Sequence, residues 1–176
     1  VLKSGKESPF YIDLRMIGSR PRLLSLVARA YAGLLWGLEY DRIAAVPLAG
    51  LPLATAVCLG TDKPLIYPRL DKKSHGRGRS IEGRYQRGDR VVLLDDLITT
   101  GRAKLEAAEV LRAEGLEVEH LAVLLERGAQ GRRDMEAAGI RLHAFADVRE
   151  LFDECLRTGL IDERRRDELY DFVSAS

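Results

Sequence analysis

The sequence predicts an α/β fold in a single domain, residues 1–176, with a mainly parallel sheet, on three observations. Short apolar runs (Ile43 to Val46, Leu65 to Tyr67, Val91 to Leu94, Val118 to Leu125) alternate with stretches of helical period. The run at Val91 to Leu94 is apolar throughout, as a strand covered by helices on both faces must be. No repeat, linker or low-complexity segment interrupts the 176 residues, a length that suits one core.

In chain order, Leu2-Lys3-Ser4-Gly5 and Ser8 to Arg15 read as a strand, a turn and a second strand. The chain begins at Val1, without an initiator Met and already inside a patterned stretch, so preceding sequence is expected. Ser19 and Pro21 then open a helix whose core face is Leu24, Val27, Tyr31, Leu34 and Leu35, up to Gly37. Ile43 to Val46 is a buried strand running into Pro47-Leu48-Ala49-Gly50-Leu51-Pro52. Small residues at a strand's carboxyl end let a ligand approach the backbone, and the next helix adds an N-terminus, although a plain βα turn has the same composition. The uncharged span Ile43 to Thr61 does not read as a membrane helix, because Pro47, Gly50, Pro52 and Gly60 break it.

After the strand at Leu65 to Tyr67 comes a polar, glycine-punctuated, basic stretch, Arg69 to Gly83, which suits a lid over a polyanion as well as a solvated surface loop. Gly115 ends a helix carrying Leu105, Ala108 and Leu111, and the strand to Leu125 finishes at Glu126-Arg127-Gly128-Ala129-Gln130-Gly131. Met135, Ala138 and Gly139 mark a short helix, Ile140 to Ala144 an edge-like strand, and Val148, Leu151, Phe152, Cys155 and Leu156 an amphipathic helix. A last helix starts near Asp162 with Leu169, Phe172 and Val173 inward. Neither of these helices carries recognisable chemistry, and His143 reads as structural.

A net charge of +1 argues against a nucleic-acid protein. Cys58 and Cys155 have no C-x-x-C or Cys/His spacing, so they read as reduced core residues of a cytosolic protein without structural zinc.

The chemistry centres on Arg90 to Gly101, R-V-V-L-L-D-D-L-I-T-T-G. A buried strand stops at Asp95 and Asp96, and Leu97 and Ile98 lead into Thr99-Thr100-Gly101 at the start of a helical pattern. Hydroxyls, free backbone N–H groups and the positive end of a helix dipole suit a phosphate. Two carboxylates facing an open cleft suit sugar hydroxyls and can help hold a hydrated Mg²⁺. A ribose 5-phosphate satisfies both halves, although Asp and Thr also serve as turn and cap residues at ordinary strand–helix junctions. No G-x-x-x-x-G-K-[ST] and no G-x-G-x-x-G after a strand is present, which sets aside the P-loop and dinucleotide readings.

That string resembles the signature of type I phosphoribosyltransferases, and the chain from Leu2 to about Gly131 is similar to their orotate phosphoribosyltransferase branch. The L-K-S-G-x-x-S-P-x-Y-x-x-x-R segment matches at Lys3, Phe10 and Tyr11, which the resemblance places around the base and ribose. The catalytic-loop pattern matches at Arg69, Lys73, His75, Gly76, Ile81, Glu82 and Gly83. It departs at Leu70, where relatives usually have a lysine whose role Lys72 could take. The resemblance implies a type I phosphoribosyltransferase fold, a parallel sheet flanked by helices with a small N-terminal hood. It further implies transfer of ribosyl 5-phosphate from 5-phosphoribosyl 1-diphosphate to orotate, with Mg²⁺ carried mainly on substrate oxygens.

Asp95, Asp96, Leu97, Ile98, Thr99, Thr100 and Gly101 would then bind ribose and 5-phosphate, and Leu48, Ala49 and Gly50 the diphosphate. Lys73 and His75 would close over the leaving group with Arg69, and Arg127 would read the orotate carboxylate, as a planar bidentate donor can. A cytoplasmic homodimer sharing the mobile loop across its interface is implied as well. Two readings stay open: a phosphoribosyltransferase for another base, and a module that binds the donor without turnover.

Overall fold

Right-handed crossovers between parallel strands lay this chain out as one sheet with helices on both faces. The computed structural model describes residues 8–70 and 80–174. Its strands are β1 (Arg42–Ala45), β2 (Leu65–Pro68), β3 (Ile81–Glu82), β4 (Arg90–Ile98), β5 (Glu117–Glu126) and β6 (Arg141–Asp147). They form a six-stranded sheet in the order β3-β2-β1-β4-β5-β6, parallel except for the β2–β3 pair. The helices are α1 (Pro21–Leu34), α2 (Gly50–Thr61), α3 (Arg102–Ala113), α4 (Ala129–Ala137), α5 (Val148–Arg157) and α6 (Glu163–Ser174), with a 3₁₀ turn at Arg15–Ser19.

Alternation along β4 divides the core. Val91 and Leu93 pack with Ala107, Ala108 and Leu111 of α3, while Val92 and Leu94 pack with Tyr31 of α1 and Leu53 and Val57 of α2. A smaller cluster joins Val148, Phe152 and Leu169 of α5 and α6 to Phe10 and Ile12. Asp147 starts α5 with a capping box to Glu150, which fixes the helix directly after β6.

From β1 the chain crosses toward β2, and from β4 it crosses the other way toward β5. Such a reversal opens a crevice at the carboxyl ends of the two strands. The residues after β1 and the end of β4, singled out above on chemical grounds, meet there.

Three expectations change. β4 does not stop at the carboxylates, because its ladder to β5 continues through Asp95↔Val123, Leu97↔Leu125 and Ile98↔Glu126. Ser8 to Leu14 is not a strand. Pro9 cannot donate to a ladder, and Phe10 and Ile12 instead bury side chains against α5 and α6. Cys58 and Cys155 are free thiols, and both are only half-buried rather than core. Among the described residues no helix is long and apolar enough to cross a membrane.

Candidate functional site

At the junction of β4 and α3, Thr99 and Thr100 are exposed and Gly101 is buried. Gly101 forms the N-cap of α3 without a side-chain cap, and the first turn contains no acidic residue but does contain Arg102. A helix start prefers the opposite charge, and here no acidic residue of the first turn supplies it; Arg102 pairs instead with Glu106, at 3.4 Å. One N–H is already engaged: Gly101 donates to Asp134 Oδ2 of α4 at 3.0 Å, which holds that carboxyl below its usual range. Only glycine fits there, since a Cβ on Gly101 would lie 2.7 Å from Asp134 Cβ. At the other side of the crevice Val46 N–H donates to Leu94 O at 2.9 Å, and α2 begins at Gly50. A Cβ on Gly50 would lie 2.6 Å from Leu94 O, so the absent side chain is what lets α2 start against β4. The Pro47–Leu48 peptide bond is cis. Leu48 and Ala49, with Leu14, Arg15, Gly18, Pro52 and Leu53, line a cavity of about 210 Å³.

The two carboxylates do not share a cleft as expected. Because they are adjacent on a strand, they face opposite sides of the sheet. Asp95 points toward α3 and is only 4 % exposed, and Lys104, itself buried, reaches it at 2.6 Å (Nζ to Oδ2). Its Oδ1 accepts the Asp96 N–H at 2.9 Å, and its carbonyl accepts the Tyr31 hydroxyl at 2.6 Å. Burial pushes the Asp95 carboxyl up, to about 6, with the charge of Lys104 opposing the rise. At neutral pH it is the ionised half of a buried pair. Asp96 is half-buried on the other side; its Oδ1 accepts the Leu97 N–H at 2.7 Å, and among the described residues it has no ion-pair partner. Leu97 is half-buried and Ile98 is core.

Lys104 and Tyr31 were missed as site residues. The signal for Lys104 was present: it stands three, four and seven residues before Ala107, Ala108 and Leu111, on the buried stripe of α3.

The basic stretch leaves the carboxyl end of β2, on the edge that carries the site. Its base is clamped by the Tyr67↔Glu82 and Pro68↔Ile81 pairs and by Arg69 N–H donating to Ser80 O at 2.8 Å. The Arg69 guanidinium pairs with Glu82 at 3.2 Å. Lys72, Lys73 and His75, like Lys3 near the N-terminus, lie outside the described residues.

Arg127 follows β5, with its N–H on Ile98 O at 2.8 Å, so it adjoins the Thr99-Thr100-Gly101 turn. The neighbouring carboxylate, Glu126, is committed to Arg132. Arg127 is left with neutral partners, donating from Nη2 to Ser8 Oγ at 2.9 Å and lying 4.5 Å from the Phe10 ring centroid. Burial pushes this guanidinium down from its ordinary value, and among the described residues no carboxylate pairs with it. Tyr11 is 77 % exposed and accepts a hydrogen bond from Arg15 at 2.9 Å. The structure thus gathers Leu48 to Gly50, Asp96 to Gly101 and Arg127 at one sheet edge, with Asp95 turned into the α3 face.

Residues 15–141 match the family model of the phosphoribosyl transferase domain. An orotate phosphoribosyltransferase of Pyrococcus abyssi is 40 % identical over 155 residues, 87 % of this chain and 85 % of that one. Another, of Pyrobaculum aerophilum, is 40 % identical over 174 residues, 98 % of this chain and 89 % of that one. Among solved structures, Leishmania donovani UMP synthase superposes with a TM-score of 0.92 at 39 % identity, covering 100 % of this chain but 38 % of that longer one. Together with a parallel sheet whose switch-point crevice carries the Asp-Asp-x-x-Thr-Thr-Gly turn, these likenesses decide between the readings left open: the chain belongs to the orotate phosphoribosyltransferases of the type I phosphoribosyltransferase family, pentosyltransferases of pyrimidine biosynthesis.

Proposed function

We propose that the donor binds along the crevice between β1 and β4 and that orotate is held at its β5 side by Arg127. The observation that carries this is a guanidinium with neutral partners only, beside a strand–helix junction where Thr99 and Thr100 are exposed and the first helical turn has no acidic residue. Thr99, Thr100 and the N–H groups opening α3 take the 5-phosphate. Asp96 accepts the ribose hydroxyls. Asp95 orders the strand end through Asp96 N–H and is held by Lys104. Leu48, Ala49 and Gly50 offer backbone to the diphosphate.

In the transfer, the bond from ribose C1 to the diphosphate oxygen breaks with its electron pair leaving on diphosphate, a bond forms from orotate N1 to C1, and the proton of N1 passes to the departing diphosphate or to water. Positive charge builds on the ribose as the leaving group departs. The chain's tasks are to hold the sugar, neutralise the leaving diphosphate and exclude water. Lys73, His75, Arg69 and Lys72 suit the second task by charge, and the polar stretch from Arg69 to Gly83, acting as a lid, suits the third. Electrostatic stabilisation by Lys73 ranks before proton donation by His75. Lys3 joins Arg127 in orienting orotate.

Mg²⁺ bound to diphosphate and ribose oxygens would neutralise charge on the leaving group. Asp96, an unpaired carboxylate at the ribose position, fits such an ion. In the resembling family this basic loop reaches into the neighbouring subunit's site, and on that ground the working unit is a cytoplasmic homodimer.

The test follows orotate absorbance with donor and Mg²⁺, with adenine, hypoxanthine and uracil in parallel. Orotate alone should be consumed, and a chelator should stop the reaction. Comparable turnover of an uncharged base would overturn the role of Arg127.

A further inference from the structure

The base side of the crevice is braced by helices that the family signature does not reach. Phe10, on which the Arg127 guanidinium lies, is gripped edge-on from behind by two rings. Phe152 of α5 stands 5.1 Å away at 82°, and Phe172 of α6 stands 6.0 Å away at 86°. Arg165 of α6 donates from Nη2 to the Pro9 carbonyl at 2.6 Å. Ser8 completes the link, since its Oγ accepts from Arg127 and donates to the Phe10 carbonyl at 2.7 Å. Residues 8–14 have no strand partner, so side-chain contacts of this kind are what fix residues 8–10 and, through them, the guanidinium.

We infer that the α5–α6 pair is a positioning device for substrate selection: through Phe10 and Pro9 it holds Arg127 in a fixed pose for the carboxylate of an acidic base. Phe152, Phe172 and Arg165 are then positioning residues, and Phe10 acts by presenting a π face to the cation. The physical reason is preorganisation. An arginine side chain has many rotamers, and ordering it on binding would consume affinity, whereas a guanidinium already laid on an aromatic face presents its fork at little further cost. The inference rests on Arg127 as the reader of orotate.

The experiment measures KM for orotate and for the donor in the full-length enzyme and in Arg127→Ala, Phe10→Leu, Phe10→Tyr, Phe172→Ala and Arg165→Gln. Thermal unfolding of each variant fixes an assay temperature at which it is folded. Phe10→Leu and Phe172→Ala should raise the orotate KM roughly three- to tenfold, with the donor KM within about twofold of wild type. Arg165→Gln should raise the orotate KM less, and Phe10→Tyr, which keeps the face, should raise it less than Phe10→Leu does. In an Arg127→Ala background, Phe10→Leu should add almost nothing, because the two act as one unit.

If Arg127→Ala raises the orotate KM but Phe172→Ala and Phe10→Leu do not, the inference fails while the reading of Arg127 stands. If Arg127→Ala leaves the orotate KM unchanged, both fall. Parallel rises in the two KM values for Phe172→Ala would show a role in folding alone and overturn the inference.

Discussion

In the proposed site the ribose 5-phosphate is met by consecutive residues, Asp96 to Gly101, at a single strand–helix junction, whereas orotate is met by a guanidinium at position 127 resting on residues 8 and 10, which rest in turn on positions 152, 165 and 172. The difference follows from the ligand groups. A phosphate is recognised by backbone N–H groups, which one tight turn supplies. A carboxylate on a flat ring needs a side-chain fork at a set angle, and long side chains hold an angle only when other elements pack against them. The ribose-phosphate part is therefore built mainly by local sequence, and the base half by tertiary contact.

The largest expected effect concerns the loop and the donor half together. Lys73→Ala and Asp96→Asn should each lower kcat by more than about a hundredfold, as losses of groups that stabilise the transition state do. If the loop serves the neighbouring subunit, mixing the two inactive variants gives mixed dimers with one doubly damaged site and one intact site. Random exchange should then recover about a quarter of wild-type activity. Absence of recovery, with mixed dimers verified by mass, would put the loop over its own site.

Next in size is Lys104→Met, which strands the buried Asp95 carboxylate. The loss in unfolding free energy should be about 3 kcal/mol near pH 8 and smaller near pH 5, where Asp95 takes up a proton. A denaturant titration at both values checks it, and a loss that is equal at the two would contradict the buried pair.

The pH dependence of the wild type is a further expectation with a definite sign. Folding raises the Asp95 carboxyl from the ordinary 3.8 to about 6, so the folded state holds this proton where the unfolded state has released it. Its contribution to stability is therefore full below about pH 4 and declines as pH rises through about 6, by about 2 to 3 kcal/mol. Asp95→Asn removes that group, and the difference between the two curves should fall within that window; a difference independent of pH would contradict it.

The same contrast explains what could be read in the sequence. Most of the sheet, the helices and the strand–turn–helix at Thr99 to Gly101 were legible because each is written in a contiguous period or string, whereas β3 lies inside the polar stretch read as a loop. The order of the charges at Asp95 and Asp96 was half legible: strand alternation puts them on opposite faces, but only the continued pairing with β5 shows that the strand runs through both. Lys104 was legible as a charge on a buried helical stripe. Ser8 to Arg15 reads as a strand in the sequence, but the apolar positions Phe10 and Ile12 serve instead a segment laid on α5 and α6. The support of Phe10 by positions 152 and 172 had no local signal, since no spacing in the chain relates them. Lys3, Lys72, Lys73 and His75 lie outside the described residues, and their roles remain for mutation to test.

The most direct measurement is the KM pair for Arg127→Ala. Loss of a bidentate charge-assisted contact to a carboxylate costs about 1.5 to 3 kcal/mol, so the orotate KM should rise roughly tenfold or more. The donor KM should stay near its wild-type value, because the phosphate turn and Asp96 are untouched. Equal changes in the two values, or a larger change for the donor, would contradict the division of the site into halves built by different means.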